Sequence, residues 1–324
     1  MPCFSQGMFY GERSMIRVRP SFYDRFFCKA SRCRHNCCIG WEIDVDPETA
    51  SLYQTVGGAF GKELAEKITQ GESQHFTLCP DGRCPFLDER NLCRIIQTLG
   101  EEALCDICAL HPRFFNDFPG REETGLGLCC EETVRLLLEE RTLSFIEESA
   151  DGGEERDEWI ERLASLRGDL FDILSETQLP FEKRLERCAQ KLGMKLQTFE
   201  MHEWIRFFLL LERMEQSWGE MLNDLISGAG IKPDEETFNS PRYGKILSYL
   251  LYRHFLAAQT EEETRVLFAF AVLAVRLIAA LDARDMTECD EHIRLFSTEI
   301  EYSDENMERI CAKLRERFAF DGCI

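Results

Sequence analysis

The sequence predicts a mostly α-helical protein in which a cysteine-rich, metal-bound N-terminal unit precedes an all-α helical bundle. Twelve of the 16 cysteines lie within the first 130 of the 324 residues. In the second half, apolar residues recur at the spacing of one helix face, for example over residues 246–255. Val- and Ile-rich strands alternating with helices are not visible in the sequence, which argues against a doubly wound α/β fold.

Composition and charge narrow the class of protein. A hydrophobic fraction of 44% is typical of a globular chain rather than a disordered one. The formal net charge is −21, although residues 1–41 are locally basic. Because binding to phosphate backbones needs net or clustered positive charge, we expect no nucleic-acid partner.

The most apolar segment, residues 266–281, predicts a buried helix. It is 16 residues long and is interrupted by Arg276, whereas a membrane span needs about 20 apolar residues. The first 15 residues also lack the apolar core of a secretory signal. We therefore expect a cytoplasmic protein without a membrane partner.

Two regions follow from the distribution of cysteine, proline, glycine and charge. Residues 15–140 predict a cysteine-rich metal- or iron–sulfur-binding region, with short helices and loops marked by proline and glycine. Residues 141–324 predict an α-helical domain, with an acidic linker near residues 147–161. The glycine-rich stretch 57–61 lies between two helix-like segments and predicts a joint between helices, because no strand precedes it.

The cysteines of the first region form two groups with short internal spacings. The first is Cys28-x4-Cys33-x3-Cys37-Cys38, and the second comprises Cys84, Cys93 and Cys105-x2-Cys108. Such spacings bring several thiols together at little entropic cost, and thiolates select zinc, copper(I) or iron–sulfur clusters. The pattern matches neither a zinc finger nor the bacterial ferredoxin motif. Cysteines 188, 289, 311 and 323 stand alone in helix-like sequence and predict ordinary thiols.

These motifs resemble the flagellin lysine-N-methylase family, called FliB. The resemblance covers about residues 17–140, and a weaker similarity falls on residues 249–255. The segments that carry it, besides the first cysteine group, are Arg19-Pro20-x-Phe22-Tyr23, Cys84-Pro85-Phe86-Leu87-Asp88, Leu104-Cys105-x2-Cys108 and Leu128-x-Cys130-x-Glu132. Two positions depart from the family pattern, namely His111 before Pro112-Arg113 and Cys129 before Cys130.

The resemblance implies an S-adenosylmethionine-dependent enzyme that methylates lysine side chains of flagellin. It also implies an iron–sulfur cluster, of the [4Fe–4S] type, with zinc as the alternative metal. The candidate metal ligands are nine cysteines: Cys28, Cys33, Cys37, Cys38, Cys84, Cys93, Cys105, Cys108 and Cys130. His111 is either an additional ligand or a surface residue.

Two functions remain open at this point. The first is a protein-lysine N-methyltransferase, and the second is a non-enzymatic zinc- or iron-chelating module whose helical domain binds a partner. Neither a glycine-rich turn after a strand nor a complete CxxxCxxC motif is present, so the sequence assigns no catalytic or donor-binding residue. The side chains near the cysteines that could accept a lysine proton are Glu42, Asp44, Asp88, His111 and Glu132.

Single replacement of Cys33, Cys84, Cys93 or Cys108 by serine is expected to lower the bound metal and the stability of the fold, because the loss of a ligand costs folding free energy. Replacement of Cys289 is the matched control and should leave the metal content unchanged. Metal analysis of the five purified variants checks this assignment, and equal metal in all of them would contradict it.

Overall fold

The computed structural model describes residues 14–69, 71, 74–152, 155–228 and 235–321. Over these residues the chain is mostly helical, as the sequence predicted, with one small sheet in addition. The strands are β1 (Ser14–Pro20), β2 (Arg113–Phe118), β3 (Arg121–Leu126) and β4 (Phe145–Asp151). The helices of the first half are α1 (Pro47–Thr55), α2 (Gly58–Lys67), α3 (Arg94–Leu99), α4 (Asp106–Leu110) and α5 (Glu131–Glu139).

Nine further helices follow within the described residues. They are α6 (Glu158–Ser175), α7 (Phe181–Lys191), α8 (Met201–Phe208), α9 (Gln216–Ser227), α10 (Glu235–Phe238), α11 (Pro241–His254), α12 (Glu261–Arg284), α13 (Cys289–Phe296) and α14 (Asp304–Asp321). A π-helical turn, Ser297–Glu301, continues directly from α13.

The predicted joint at residues 57–61 is confirmed, since α1 and α2 meet there. Asp46 caps the start of α1 by accepting from the backbone N–H of Thr49 at 2.8 Å. Gly58 begins α2 with φ +75°, a conformation that favours glycine. A Cβ at Gly61 would lie 1.8 Å from the Val56 carbonyl oxygen, so the close approach of the two helices depends on glycine.

The sheet has the strand order β2-β3-β1-β4. β1 runs parallel to β3, with Ile16 opposite Arg121, and antiparallel to β4 over all seven of its residues. Ile16 and Val18 alternate on the buried face of β1. The strands are short, and β4 is mostly exposed. The sequence therefore shows no continuous apolar run of the kind that identifies a buried strand.

Strand β4 corrects the expectation of an acidic linker near residues 147–161, because most of that interval is β4 and the start of α6. The acidic side chains are accommodated by basic partners on the neighbouring strand. Arg19 of β1 donates to both carboxylate oxygens of Glu148, at 2.9 and 3.1 Å. The sheet thus joins strands from both sides of residue 140, and the division into regions 15–140 and 141–324 stays a prediction.

Buried apolar residues form two clusters. The smaller one lies in the cysteine-rich region and includes Ile43, Leu64, Phe76, Phe86 and Ile95. The larger one joins the sheet to α5–α9 and α11–α14. Helix α12 passes through the larger cluster: it is long and apolar enough to cross a membrane, but 83% of its apolar window is buried inside the protein. It is a core helix, as the sequence predicted.

Helix α11 is fastened to the sheet by tyrosine hydroxyls. The Tyr249 hydroxyl accepts from the N–H of Leu126 at 2.8 Å and donates to the Leu126 carbonyl at 2.7 Å. The Tyr252 hydroxyl lies 2.9 Å from the Val18 carbonyl and 2.8 Å from the Thr124 carbonyl. These bonds satisfy strand backbone groups that would otherwise be buried without partners.

A buried ion pair completes the joint between sheet and helices. Glu123 of β3 is fully buried and accepts from Arg121 at 2.6 Å and from Arg167 of α6 at 2.5 and 2.7 Å. Burial alone would raise the pKa of Glu123, but the Arg167 and Arg121 guanidinium groups hold it below its ordinary value. Arg167 also donates to the Tyr252 carbonyl at 2.9 Å, which links α6, α11 and β3.

Replacing Glu123 with alanine is expected to lower the free energy of unfolding by about 3–5 kcal/mol, because two buried guanidinium groups lose their counter-charge. The neighbouring Glu122 pairs with Arg17 at 3.1 Å on the exposed face, so its alanine variant should lose less than about 1 kcal/mol. Urea unfolding of both variants measures the difference, and equal losses would contradict the role given to Glu123.

Candidate functional site

Five of the nine predicted ligands come together at the edge of the smaller apolar cluster. Cys84 and Cys105 are buried within it, and Cys38, Cys93 and Cys108 pack against it. We call these five side chains the thiol cluster. All five are free thiols, as are the other cysteines in the described part of the chain. The role of each of these cysteines as a metal ligand stays a prediction.

Backbone contacts hold the thiol cluster in place. The N–H of Cys84 donates to the Cys38 carbonyl at 2.8 Å, which joins the two cysteine motifs. Cys93 precedes α3 and Cys105 precedes α4. The Asp46 carboxylate caps α1 and also accepts from the N–H of Asp106 at 3.0 Å, so α1 and α4 start from one shared acceptor.

The thiols influence each other's ionisation. Burial, together with the nearby Cys93, Cys105 and Cys79, raises the pKa of Cys84 to about 11. The hydrogen bond from Cys108 lowers the pKa of Cys105 against the effect of burial. Cys79 is not among the nine predicted ligands, but it also lies near the thiol cluster. It begins the turn that ends just before Cys84.

The other four predicted ligands lie outside the thiol cluster. Burial, together with the nearby Glu131, Cys130 and Cys37, raises the pKa of Cys33 to about 12. Cys37 hydrogen-bonds Cys38, which lowers the pKa of Cys37 and raises that of Cys38. Cys28 is exposed, and its sulfur accepts from the N–H of Ala30 at 3.4 Å.

The basic residues near the motifs have partners other than thiols. Lys29 binds Glu131 at 2.5 Å, Arg94 binds Glu63 at 2.6 Å, and Arg113 lies over the Phe26 ring. The fit of the thiol cluster to a metal comes from its donors: five thiols from four separate segments converge beside apolar side chains.

A cavity of about 380 Å³ adjoins the thiol cluster and separates the first cysteine motif from the helical bundle. Its volume lies in the range of about 300–1,000 Å³ that is typical of small-molecule sites. One wall is the segment 34–41 together with His111, the floor includes Cys129, and the opposite wall, which we call the helical wall, is formed by Met214, Glu215, Arg294, Thr298 and Tyr302.

The segment 34–41 is fixed to the thiol cluster. The N–H of Gly40 donates to the Gly82 carbonyl at 2.9 Å, two residues before Cys84. The Trp41 indole donates to the Cys37 carbonyl, and its ring lies 5.7 Å from the His111 ring. Cys37 both lines the cavity and contacts Cys38, so the cavity and the thiol cluster share a boundary.

The helical wall contains an ion-pair network centred on Arg294. Its guanidinium donates to both oxygens of Glu215, at 2.8 and 2.9 Å, and to both oxygens of Glu291, at 2.6 and 2.9 Å. His35, from the opposite wall, lies 2.8 Å from Glu291. Burial alone would raise the pKa of Glu291, but hydrogen bonds from Arg294 and His35 lower it to about 2.

The π-helical turn Ser297–Glu301 distributes its side chains in three directions. Thr298, and Tyr302 just beyond the turn, line the cavity. Glu299 accepts from the backbone N–H groups of Met214 and Glu215, at 2.9 and 2.7 Å. Glu301 meets His254 at 2.7 Å and Arg253 at 3.4 Å. Such turns are frequent at functional sites.

Tyr302 is held in the helical wall of the cavity by a glycine and an arginine. The Arg253 guanidinium lies 4.8 Å from the Tyr302 ring centre. A hydrogen bond joins Tyr302 to Cys129, whose pKa burial raises to about 12. A Cβ at Gly127 would lie 2.0 Å from the Tyr302 hydroxyl, so only glycine leaves room for it.

Among the five acceptors suggested by the sequence, His111 lines the cavity. Glu42 and Asp44 form a group with His75, Asp88 bonds Gln97 and Arg90, and Glu132 bonds Arg135. Sequence reasoning missed Glu215, Glu291 and Arg294. Glu291 and Arg294 are an i,i+3 pair on one helix, but the sequence carries no signal for Glu215, which the chain separates from Arg294 by 79 positions.

The fold and site define a mostly helical protein with a ligand-sized cavity between a thiol cluster and a helical bundle. Over 128 residues the chain is 31% identical to the flagellar biosynthetic protein FliU of Salmonella muenchen, of which it covers 76%. It is 32% identical to the lysine-N-methylase of Salmonella typhimurium strain LT2 and 31% identical to that of Salmonella choleraesuis, again over 128 residues. The chain belongs to this lysine-N-methylase/FliU family.

The extent of these alignments is limited. The matched region is 37% of this chain and spans 32% of the length of each of the two lysine-N-methylases. No protein-family model matches the chain, and no solved structure matches it.

Replacing Gly127 with alanine is expected to displace Tyr302 and to lower the free energy of unfolding by about 1–3 kcal/mol through overpacking. The double variant with Tyr302→Phe should recover part of that loss, because the hydroxyl is the atom nearest to the new Cβ. Gly168→Ala in α6 is the control, since nothing lies within 4 Å of its Cβ position. Chemical denaturation measures all three, and an unchanged stability of Gly127→Ala would refute the packing argument.

Proposed function

We propose that the protein is a protein-lysine N-methyltransferase that takes methyl groups from S-adenosylmethionine. The observation that carries the proposal is the cavity at the thiol cluster, in a chain whose relatives are named lysine-N-methylase. The cavity has the volume of a small-molecule site and contacts both the cysteine motif and the helical bundle. It is therefore the place in the described structure where a donor and a lysine side chain could meet.

We further propose that the thiol cluster holds an iron–sulfur cluster of the [4Fe–4S] type. Cys38, Cys84, Cys93, Cys105 and Cys108 supply one donor more than the four that such a cluster needs. Zinc is the alternative, because it is also held by four thiolate ligands. When bound, such a cluster supplies iron centres with redox and Lewis-acid character beside the cavity.

The chain itself has to bind the donor, orient it and exclude water. The rings of Trp41 and Tyr302 offer faces that attract a cation such as a sulfonium. Ile39 and Met214 supply apolar surface for a flat heterocycle. Methyl transfer needs a neutral lysine amine in line with the sulfonium: its lone pair forms the N–C bond as the S–C bond breaks, and the ammonium proton is lost beforehand. His111 lies in the cavity wall and is a candidate to accept that proton.

We propose flagellin, in the bacterial cytoplasm, as the protein substrate. The support is the name of the flagellar relative together with the sequence resemblance. The formal net charge of −21 favours the approach of a lysine-bearing partner over that of an acidic one.

The test is intact-mass spectrometry of cognate flagellin after incubation with anaerobically purified protein, with and without S-adenosylmethionine. Donor-dependent increments of one methyl group that map to lysines are expected. Cys84→Ser should abolish them together with the bound metal, whereas the control Cys289→Ser should retain both. The absence of increments from a preparation with its full metal content would overturn the proposal and favour a metal-chelating module that binds a partner through its helices.

A further inference from the structure

Glu215 is the carboxylate that the helical wall presents to the cavity. About a third of its side chain is exposed, and it lines the cavity directly. Each of its oxygens accepts one N–H from Arg294, at 2.8 and 2.9 Å. The side chain is therefore held in one orientation, with an acceptor position left on Oε1. Oε2 also lies 3.5 Å from the Ser217 hydroxyl, a long contact that a ligand hydroxyl can replace.

The backbone of Glu215 is fixed as firmly as its side chain. The buried Glu299 carboxylate accepts from the N–H groups of Met214 and Glu215. The Asn306 amide donates to the carbonyls of Glu212 and Glu299, at 3.0 and 2.8 Å. The segment 212–215 is thus fastened to the π-helical turn at both ends, a degree of positioning that a merely solvated surface glutamate does not need.

The charge of the network decides which ligand groups suit Glu215. Arg294 is shared between Glu215 and Glu291, so its positive charge offsets part of each carboxylate. Glu291 is buried and also has His35 as a partner, which leaves Glu215 as the carboxylate of this network that opens on the cavity. A rigid carboxylate with two outward acceptor positions suits a pair of neighbouring hydroxyl donors.

We propose that Glu215 binds the two ribose hydroxyls of the methyl donor and so makes the cavity selective for ribonucleosides. The inference rests on the proposed function, because it takes S-adenosylmethionine as the ligand of the cavity. Acidic side chains bind ribose hydroxyls in the same manner in dinucleotide-binding folds. Trp41, Ile39 and Met214 provide the aromatic and apolar surface that the base requires.

The experiment measures equilibrium binding of S-adenosylhomocysteine, the demethylated donor, by anaerobic calorimetry on the metal-loaded full chain. The ligands are S-adenosylhomocysteine and its 2′-deoxy and 3′-deoxy analogues. Wild-type protein should bind each deoxy analogue about tenfold or more weakly, because a hydrogen bond to a charged acceptor is lost. This comparison changes the ligand alone, so it does not depend on the folding of a variant.

The matched variants are Glu215→Gln and Glu220→Gln. Glu220 lies one turn further along α9, is exposed, and does not line the cavity. Glu215→Gln should bind S-adenosylhomocysteine about tenfold more weakly, and its discrimination between the ribo and deoxy ligands should nearly vanish. Glu220→Gln should behave as the wild type in both respects.

Three outcomes would overturn the inference. Equal affinity of wild-type protein for the ribo and deoxy ligands would show that Glu215 does not bind the ribose hydroxyls. Weaker binding of a lysine-bearing flagellin peptide to Glu215→Gln, with unchanged binding of S-adenosylhomocysteine, would show that Glu215 contacts the lysine substrate and not the methyl donor. Donor-dependent methylation of flagellin without any effect of Glu215→Gln on nucleoside binding would leave the proposed function intact and reject this site.

Discussion

The structure depends on the buried contact between Glu123 of β3 and Arg167 of α6. It places a carboxylate and two guanidinium groups where water is absent, so all three must stay paired for the fold to persist. Around it, the hydroxyls of Tyr249 and Tyr252 satisfy backbone groups of β1 and β3. The sheet is consequently locked to α6 and α11. Because β3 leads within a few residues to Gly127 and Cys129, this joint also sets the floor of the cavity.

The cavity lies between the cysteine-rich region and the helical bundle, and its two sides are stabilised in different ways. On one side, the segment 34–41 is held by backbone bonds to the turn before Cys84, in a region whose apolar cluster is small. A metal bound there would add folding free energy that the limited core does not supply. On the other side, the wall belongs to the large helical core, and the π-helical turn directs neighbouring side chains both to the cavity and into the protein. The contact between His35 and Glu291 bridges the two halves.

In the proposed methyltransferase, the two sides of the cavity supply different groups. The cysteine-rich side supplies the thiols, the Trp41 ring and His111, and the helical side supplies a rigid pair of carboxylates around Arg294. Preorganised polar groups of this kind do not have to rearrange when a ligand arrives.

The sequence by itself determined the local features. A long apolar run predicted the core helix α12, glycine between two helix-like segments predicted the α1–α2 joint, and short cysteine spacings predicted nine ligands that include the five residues of the thiol cluster. The tertiary structure decided the rest. Strand β4 was not predicted from the sequence, because its acidic residues are stabilised by Arg19 of β1 and Arg121 of β3. Glu291 and Arg294 are an i,i+3 pair on α13, but Glu215, at the start of α9, meets Arg294 only in the tertiary structure, because no local pattern encodes a contact between residues so far apart in the chain.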